Sequence, residues 1–196
     1  MGPDTPGKPA GGFSCASPYN PPMPALPNRF PGAIRLFRFA GIDVFLHWTW
    51  ALIAIVSAQA RSGAYHSEFW NVGEYLTLFA IVLTHEFGHA LACRSVGGRA
   101  DRILLWPLGG VAYVDPPGRP GGVLWSIAAG PLVNVALIPI TLGALAFAPR
   151  LFPAMSDDFA DYLLSVATIN IFLLVFNLLP IYPLDGGQIM RSVLWY

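Results

Sequence analysis

The sequence predicts an all-α membrane protein: a polytopic bundle of transmembrane helices with a small membrane-associated β-hairpin between its second and third helices. Three observations carry that expectation. Hydrophobic side chains make up 55% of the 196 residues and charged ones only 11%, a composition far from that of a water-soluble domain. Mean hydropathy is +0.55. Four apolar segments, Val44 to Ala60, Val72 to Val96, Val123 to Ala148 and Phe159 to Pro180, lie near or above the ~20 residues that cross a bilayer. Between the second and third, the runs RILLWPL and VAYV flank Gly109-Gly110, which signals a hairpin.

The elements follow in chain order. Residues 1–33 hold nine of the 19 prolines together with glycines and polar residues, a mixture that buries too little apolar surface to offset its ordering entropy. A disordered tail is expected there. No apolar core follows a charged start in the first 30 residues, so no cleavable signal peptide is expected and the first helix serves as its own insertion signal. Arg29, Arg35 and Arg38 precede the first helix, and Arg94, Arg99, Arg102 and Arg119 lie at or between the second and third. Arg61 and Arg150 fall on the other side. By the positive-inside rule the amino terminus is cytoplasmic, and the second and fourth helices both end at the cytoplasmic face. The apolar hairpin is expected to dip into the membrane surface, either capping the bundle or touching a substrate. The chain stops at Tyr196 within QIMRSVLWY, which reads as another apolar helix. Residues 34–196 are thus expected to form four spanning helices and the start of a fifth, in a fragment or short version of a longer protein.

Composition also excludes functions. Net charge is zero and the 11 Lys and Arg are scattered without a basic patch, so nucleic acid is not an expected partner. The two cysteines, Cys15 and Cys93, make no disulfide framework and no CxxC metal motif.

Chemistry enters with THEFGHA, Thr84 to Ala90. In His-Glu-x-x-His on a helix, residues four apart share a face, so His85 and His89 can aim imidazole nitrogens at one ion. Glu86 is rotated away from direct ligation yet able to reach a metal-bound water. The pattern suits one zinc ion, which takes nitrogen and oxygen ligands tetrahedrally and keeps a position open in catalytic sites. Ionisable groups in a membrane helix cost several kcal/mol unless paired or facing a polar cavity, which argues against a chance occurrence. A third ligand is available in FNLLPIYPLDGGQ, where Asp185 is the only carboxylate. Pro180 and Pro183 break the helix there, and non-helical backbone at membrane depth belongs beside protein or a water-filled cavity. The alternative for Asp185 is to cap a short helix starting near Gly186. Cys93 continues the four-residue series, but three ligands on one straight helix spread too far for one ion, so Cys93 is expected to be a small buried hydrophobe. His47, near Trp48 and Trp50, is expected to belong to an interfacial aromatic anchor.

HEFGH in one transmembrane helix, AGPLVN (Ala129 to Asn134) in the next and NLLPIYPLDGG (Asn177 to Gly187) closing the following one resemble, in order and spacing, the site-2 protease family of intramembrane zinc metalloproteases. The layout with WPLGG between the first two motifs is similar to the compact microbial branch that includes the sporulation-factor processing enzymes. The resemblance implies that His85, His89 and Asp185 bind zinc and that Glu86 is the general base and acid in regulated intramembrane proteolysis. It further implies transmembrane protein substrates, a lipid bilayer environment and, for a microbe, the cell membrane. Asn177 and Asn134 are then candidates to hydrogen-bond an unwound substrate or the developing oxyanion, or else to bond neighbouring helices. Oligomeric state is not fixed by any of this. Two other classes compete: an intramembrane metal transporter, because His and Asp also mark ion pathways, and a catalytically inactive relative that binds helices.

Overall fold

The computed structural model describes residues 30–61, 63–106, 109–153 and 156–195. The expected proline-rich tail lies outside them up to residue 29. Its last residues already belong to the fold, since Phe30 is buried between Phe45 and Tyr113. The protein is mostly helical with one small sheet, in the order β1 (Ala33–Phe39), β2 (Ile42–His47), α1 (Thr49–Ala60), α2 (Glu68–Ser95), β3 (Arg99–Trp106), β4 (Gly109–Asp115), α3 (Pro120–Leu151), α4 (Asp157–Asn177) and α5 (Asp185–Trp195).

Among the described residues, three helices are long and apolar enough to cross a membrane: α2, α3 and α4. They match the second, third and fourth predicted segments to within a few residues. The first predicted span, Val44 to Ala60, does not survive as one helix. Its start belongs to β2, and α1 keeps only 12 residues, about 18 Å of rise against a hydrocarbon core of ~30 Å. A hydropathy window counts apolar residues but is blind to their period. IDVFLH alternates, and Ile42 and Val44 are fully buried on one face of a strand.

β1 and β2 form an antiparallel hairpin through Ala40 and Gly41, both at positive φ (48° and 76°), the conformation that two-residue hairpin turns require. β2 then pairs in parallel with β3, and β3 with β4 antiparallel, giving sheet order β1-β2-β3-β4. The hairpin expected around Gly109-Gly110 is therefore β3–β4, joined to a second hairpin that the sequence reading missed; Pro107 and Leu108 lie outside the described residues. One face of the sheet carries Ile42, Val44, Ile103 and Leu105, all fully buried, and packs with Val82, Ala90 and Cys93 of α2. Cys93 is a core residue, as its placement in the apolar run implied. Trp50 is core rather than an interfacial anchor, lying edge-on to Tyr75 and Phe79, while His47 bonds Thr49 at the end of β2.

Local chemistry sets the helix limits. Ser67 caps α2 by accepting from the Phe69 N–H, with Glu68 in the first turn and Arg94 in the last, both favourable to the helix dipole. Ser156 caps α4 in the same way, ahead of Asp157 and Asp158. Asp158 also accepts from the backbone N–H groups of His66 and Ser67, tying the start of α2 to the start of α4. Gly88 lets α2 approach α3 closely: a Cβ there would press on the Ala129 carbonyl and Val133.

Candidate metal centre

His85, Glu86 and His89 are all buried on α2, with their ligand atoms within 4.8 Å of one another. The two Nε2 atoms are 3.1 Å apart. Asp185 is delivered from the far side as the first residue of α5, after the chain breaks from α4. Its Oδ2 lies 3.0 Å from His85 Nε2 and its Oδ1 3.4 Å from His89 Nε2. The turn is held close because Gly186 and Gly187 admit no side chain: a Cβ on either would overlap the backbone of Leu178, Leu179, Ile181 or Tyr182.

Hydrogen bonds behind the ligands fix their tautomers. The Asn170 Nδ2 donates to the Asn134 backbone carbonyl at 3.0 Å, and a carbonyl can only accept, so the orientation of the Asn170 amide is set. Asn170 Oδ1 then accepts from Asn134 Nδ2 at 2.9 Å, which turns Asn134 Oδ1 toward His85 Nδ1 at 2.6 Å. His85 must therefore carry its proton on Nδ1. His89 Nδ1 faces the Ser126 carbonyl at 2.9 Å and carries its proton there too. In these neutral tautomers both Nε2 atoms offer lone pairs toward each other and toward the Asp185 carboxylate. Two imidazole nitrogens and a carboxylate converging in this way are the ligand types that a divalent ion such as zinc takes, so the residues present fit it.

Gly130 opens the space beside this cluster, since a Cβ would overlap the His89 and His85 rings. Glu86 belongs to the same cluster, and its Oε2 accepts from the Ala112 N–H of β4 at 2.9 Å. Although Glu86 lies near both imidazoles, it is Asp185 that meets each Nε2 within 3.4 Å. Asp185 is thus the carboxylate in direct contact with both imidazoles.

A cavity of about 870 Å³ opens onto His85, Glu86, His89 and Asp185, walled by β4 and α4. Asn177, the last residue of α4, is half-buried in its wall. Asn134 also borders the cavity. It is fully buried behind His85, and both ends of its amide are engaged within the protein. Sequence reasoning missed Ser126 and Asn170, and gave Gly130, although it lies within AGPLVN, no role of its own. Asn170 had one clue, being seven residues before Asn177 and so on nearly the same face of an apolar helix.

The relay gives an expected result. Asn170→Leu frees the Asn134 amide to turn over, which would offer His85 Nδ1 a donor and move the ring proton to Nε2. Divalent-metal affinity, measured by chelator competition, should fall roughly 10-fold or more, in the range seen when outer hydrogen-bond partners of ligands are removed. Wild-type affinity in that variant would refute the relay.

A buried His-Glu-x-x-His pair and a carboxylate from a broken helix, set among membrane-length helices, define an intramembrane metal centre of the metallopeptidase type. The chain belongs to peptidase family M50, whose model matches residues 74–151 and 152–196. It is 35% identical over 162 residues to zinc metalloprotease MJ0392 of Methanocaldococcus jannaschii, covering 83% of this chain and 45% of that protein. It is 37% identical over 117 residues to stage IV sporulation protein FB of Bacillus subtilis, covering 59% of this chain and 38% of that one. The solved site-2 protease from Methanocaldococcus jannaschii superposes with a TM-score of 0.64 at 33% identity, covering 83% of this chain and 71% of that chain. The chain thus spans less than half the length of these two relatives. With its three apolar helices, it is an integral membrane protein.

Proposed function

We propose that this chain carries the catalytic core of an intramembrane zinc metalloendopeptidase, acting on peptide bonds within or near transmembrane segments of membrane-protein substrates. The observation that supports the reading is the arrangement of the centre: Asp185 meets both imidazoles of α2 from α5, while Glu86, in the same cluster, is held at one oxygen by the Ala112 N–H. Names borne by relatives, zinc metalloprotease among them, support the same chemistry.

His85, His89 and Asp185 would hold the ion. Zinc in such a site supplies Lewis-acid chemistry, bringing the pKa of water toward ~7 and polarising a carbonyl. Glu86 takes the proton from the attacking water and returns it to the departing amine, so water is consumed and one carboxyl and one amine are released. Asn177 lies in the cavity wall, where its amide can bond an unwound substrate backbone or the developing oxyanion. Asn134 and Asn170 act through His85 by fixing its tautomer. Peptide bonds in a substrate helix are shielded by their own hydrogen bonds and must first unwind. The edge of β4 in the same cavity offers main-chain groups for an extended segment to pair with. Arginine placement supports a cytoplasmic amino terminus, and the microbial relatives support a microbial cell membrane.

The test is cleavage of single-span membrane proteins by the full chain in liposomes. Cleavage should be lost on chelation and restored by added Zn2+. Zinc movement across the bilayer without any cleavage would replace this reading with a transporter.

A further inference from the structure

β4 is an edge strand, and its free side faces the turn of α2 that carries the histidines. Two points on that side meet Glu86. The Ala112 N–H donates to Oε2, and among the described residues it is the only hydrogen-bond donor to this carboxylate. Two residues earlier on the same strand, Gly110 lies so close to Glu86 that a Cβ would overlap Cγ, Cδ and Oε1. Gly110 is not in the left-handed region that favours glycine. Glycine inside a strand costs stability and lacks a side chain to pack, so its use here answers to close approach. The missing Cβ, rather than backbone freedom, is what the position exploits.

We infer that the β4 edge is a positioning element for the carboxylate that transfers the proton: Gly110 supplies the space and the Ala112 N–H the anchor that aim Glu86 into the cavity. The inference rests on the proposed peptidase chemistry for its kinetic consequence, though not for its geometry. A glutamate has three side-chain torsions, and a buried one held at a single oxygen keeps its other oxygen directed only while both constraints last. The hairpin thereby ties the base to its own docking on α2. The strand that lines the cavity for substrate also sets the catalytic group.

The test compares wild type, Gly110→Ala, Glu86→Asp and the double variant, with Glu86→Ala as the reference for a free Ala112 amide, as full chains in detergent or liposomes. In Gly110→Ala the Ala112 amide should lose its carboxylate partner, seen as an upfield proton shift and faster hydrogen exchange, matching Glu86→Ala. Zinc content should stay at the wild-type level. Turnover should fall about 100-fold with KM little changed, as expected for a catalytic group displaced by about 1 Å. Aspartate is one methylene shorter and leaves room for the new Cβ, so Gly110→Ala should cost less than about 3-fold in the Glu86→Asp background, a non-additivity that neighbouring groups show. An unchanged Ala112 amide in Gly110→Ala overturns the inference. So does an equal loss in both backgrounds accompanied by loss of zinc, which would mark a folding defect. If wild type cleaves nothing, the peptidase reading fails while the amide measurement still decides the positioning role.

Discussion

Glu86→Gln is expected to abolish cleavage, with kcat lowered by roughly 10²–10⁴-fold, while zinc content and the fold stay as in wild type. The substitution is nearly isosteric. Its amide oxygen can still accept from the Ala112 N–H that holds Glu86 Oε2 at 2.9 Å, so the seam between α2 and β4 survives. What disappears is the ability to take a proton at the cavity wall. Because His85, His89 and Asp185 meet without Glu86, metal binding should be spared. The measurement is single-turnover cleavage beside zinc stoichiometry in the same preparation. Full activity in the glutamine variant removes Glu86 from the chemistry; loss of zinc moves it into the ligand set.

The second large effect is on the other side of the centre. Asp185→Asn should lower zinc affinity by more than 100-fold, since even partners behind a ligand are worth roughly 10–100-fold. The neutral amide gives up the anionic charge. It also places a donor 3.0–3.4 Å from imidazole nitrogens that the Nδ1 hydrogen bonds have made acceptors, so an amide–imidazole hydrogen bond would compete with the metal. Activity should be partly recovered at saturating zinc. Chelator competition reads the affinity directly, and a wild-type value would remove Asp185 from the ligand set.

The parts of this protein that were legible in the sequence are those where chemistry repeats at a local period. His85 and His89 are four residues apart on a helix, which fixes their common face whatever surrounds them. The apolar runs of α2, α3 and α4 are long enough that composition alone defines them. Asp185 was legible because a lone carboxylate between helix breakers in an apolar region needs a partner. The first predicted span failed for the complementary reason. Ile42, Val44 and Leu46 alternate as a strand does, but the segment continues into α1, and hydropathy averaged over the whole conceals the change of period.

Residue identity and spacing by themselves determined that a helix with a His-Glu-His group able to bind metal sits among membrane-length helices, and they singled out Asp185 as a third candidate. Only the tertiary structure decided what stands behind and beside that set. Asn134 carried two readings, substrate contact or a bond between helices, and only packing shows its amide engaged by His85 and by Asn170, 36 residues away. Gly110 and Ala112 carry no local sign that they clasp Glu86, because the contact joins a strand edge to a helix 24 and 26 residues earlier. Local period follows from backbone geometry that each residue carries with it, whereas such contacts exist only once distant segments have been packed against one another.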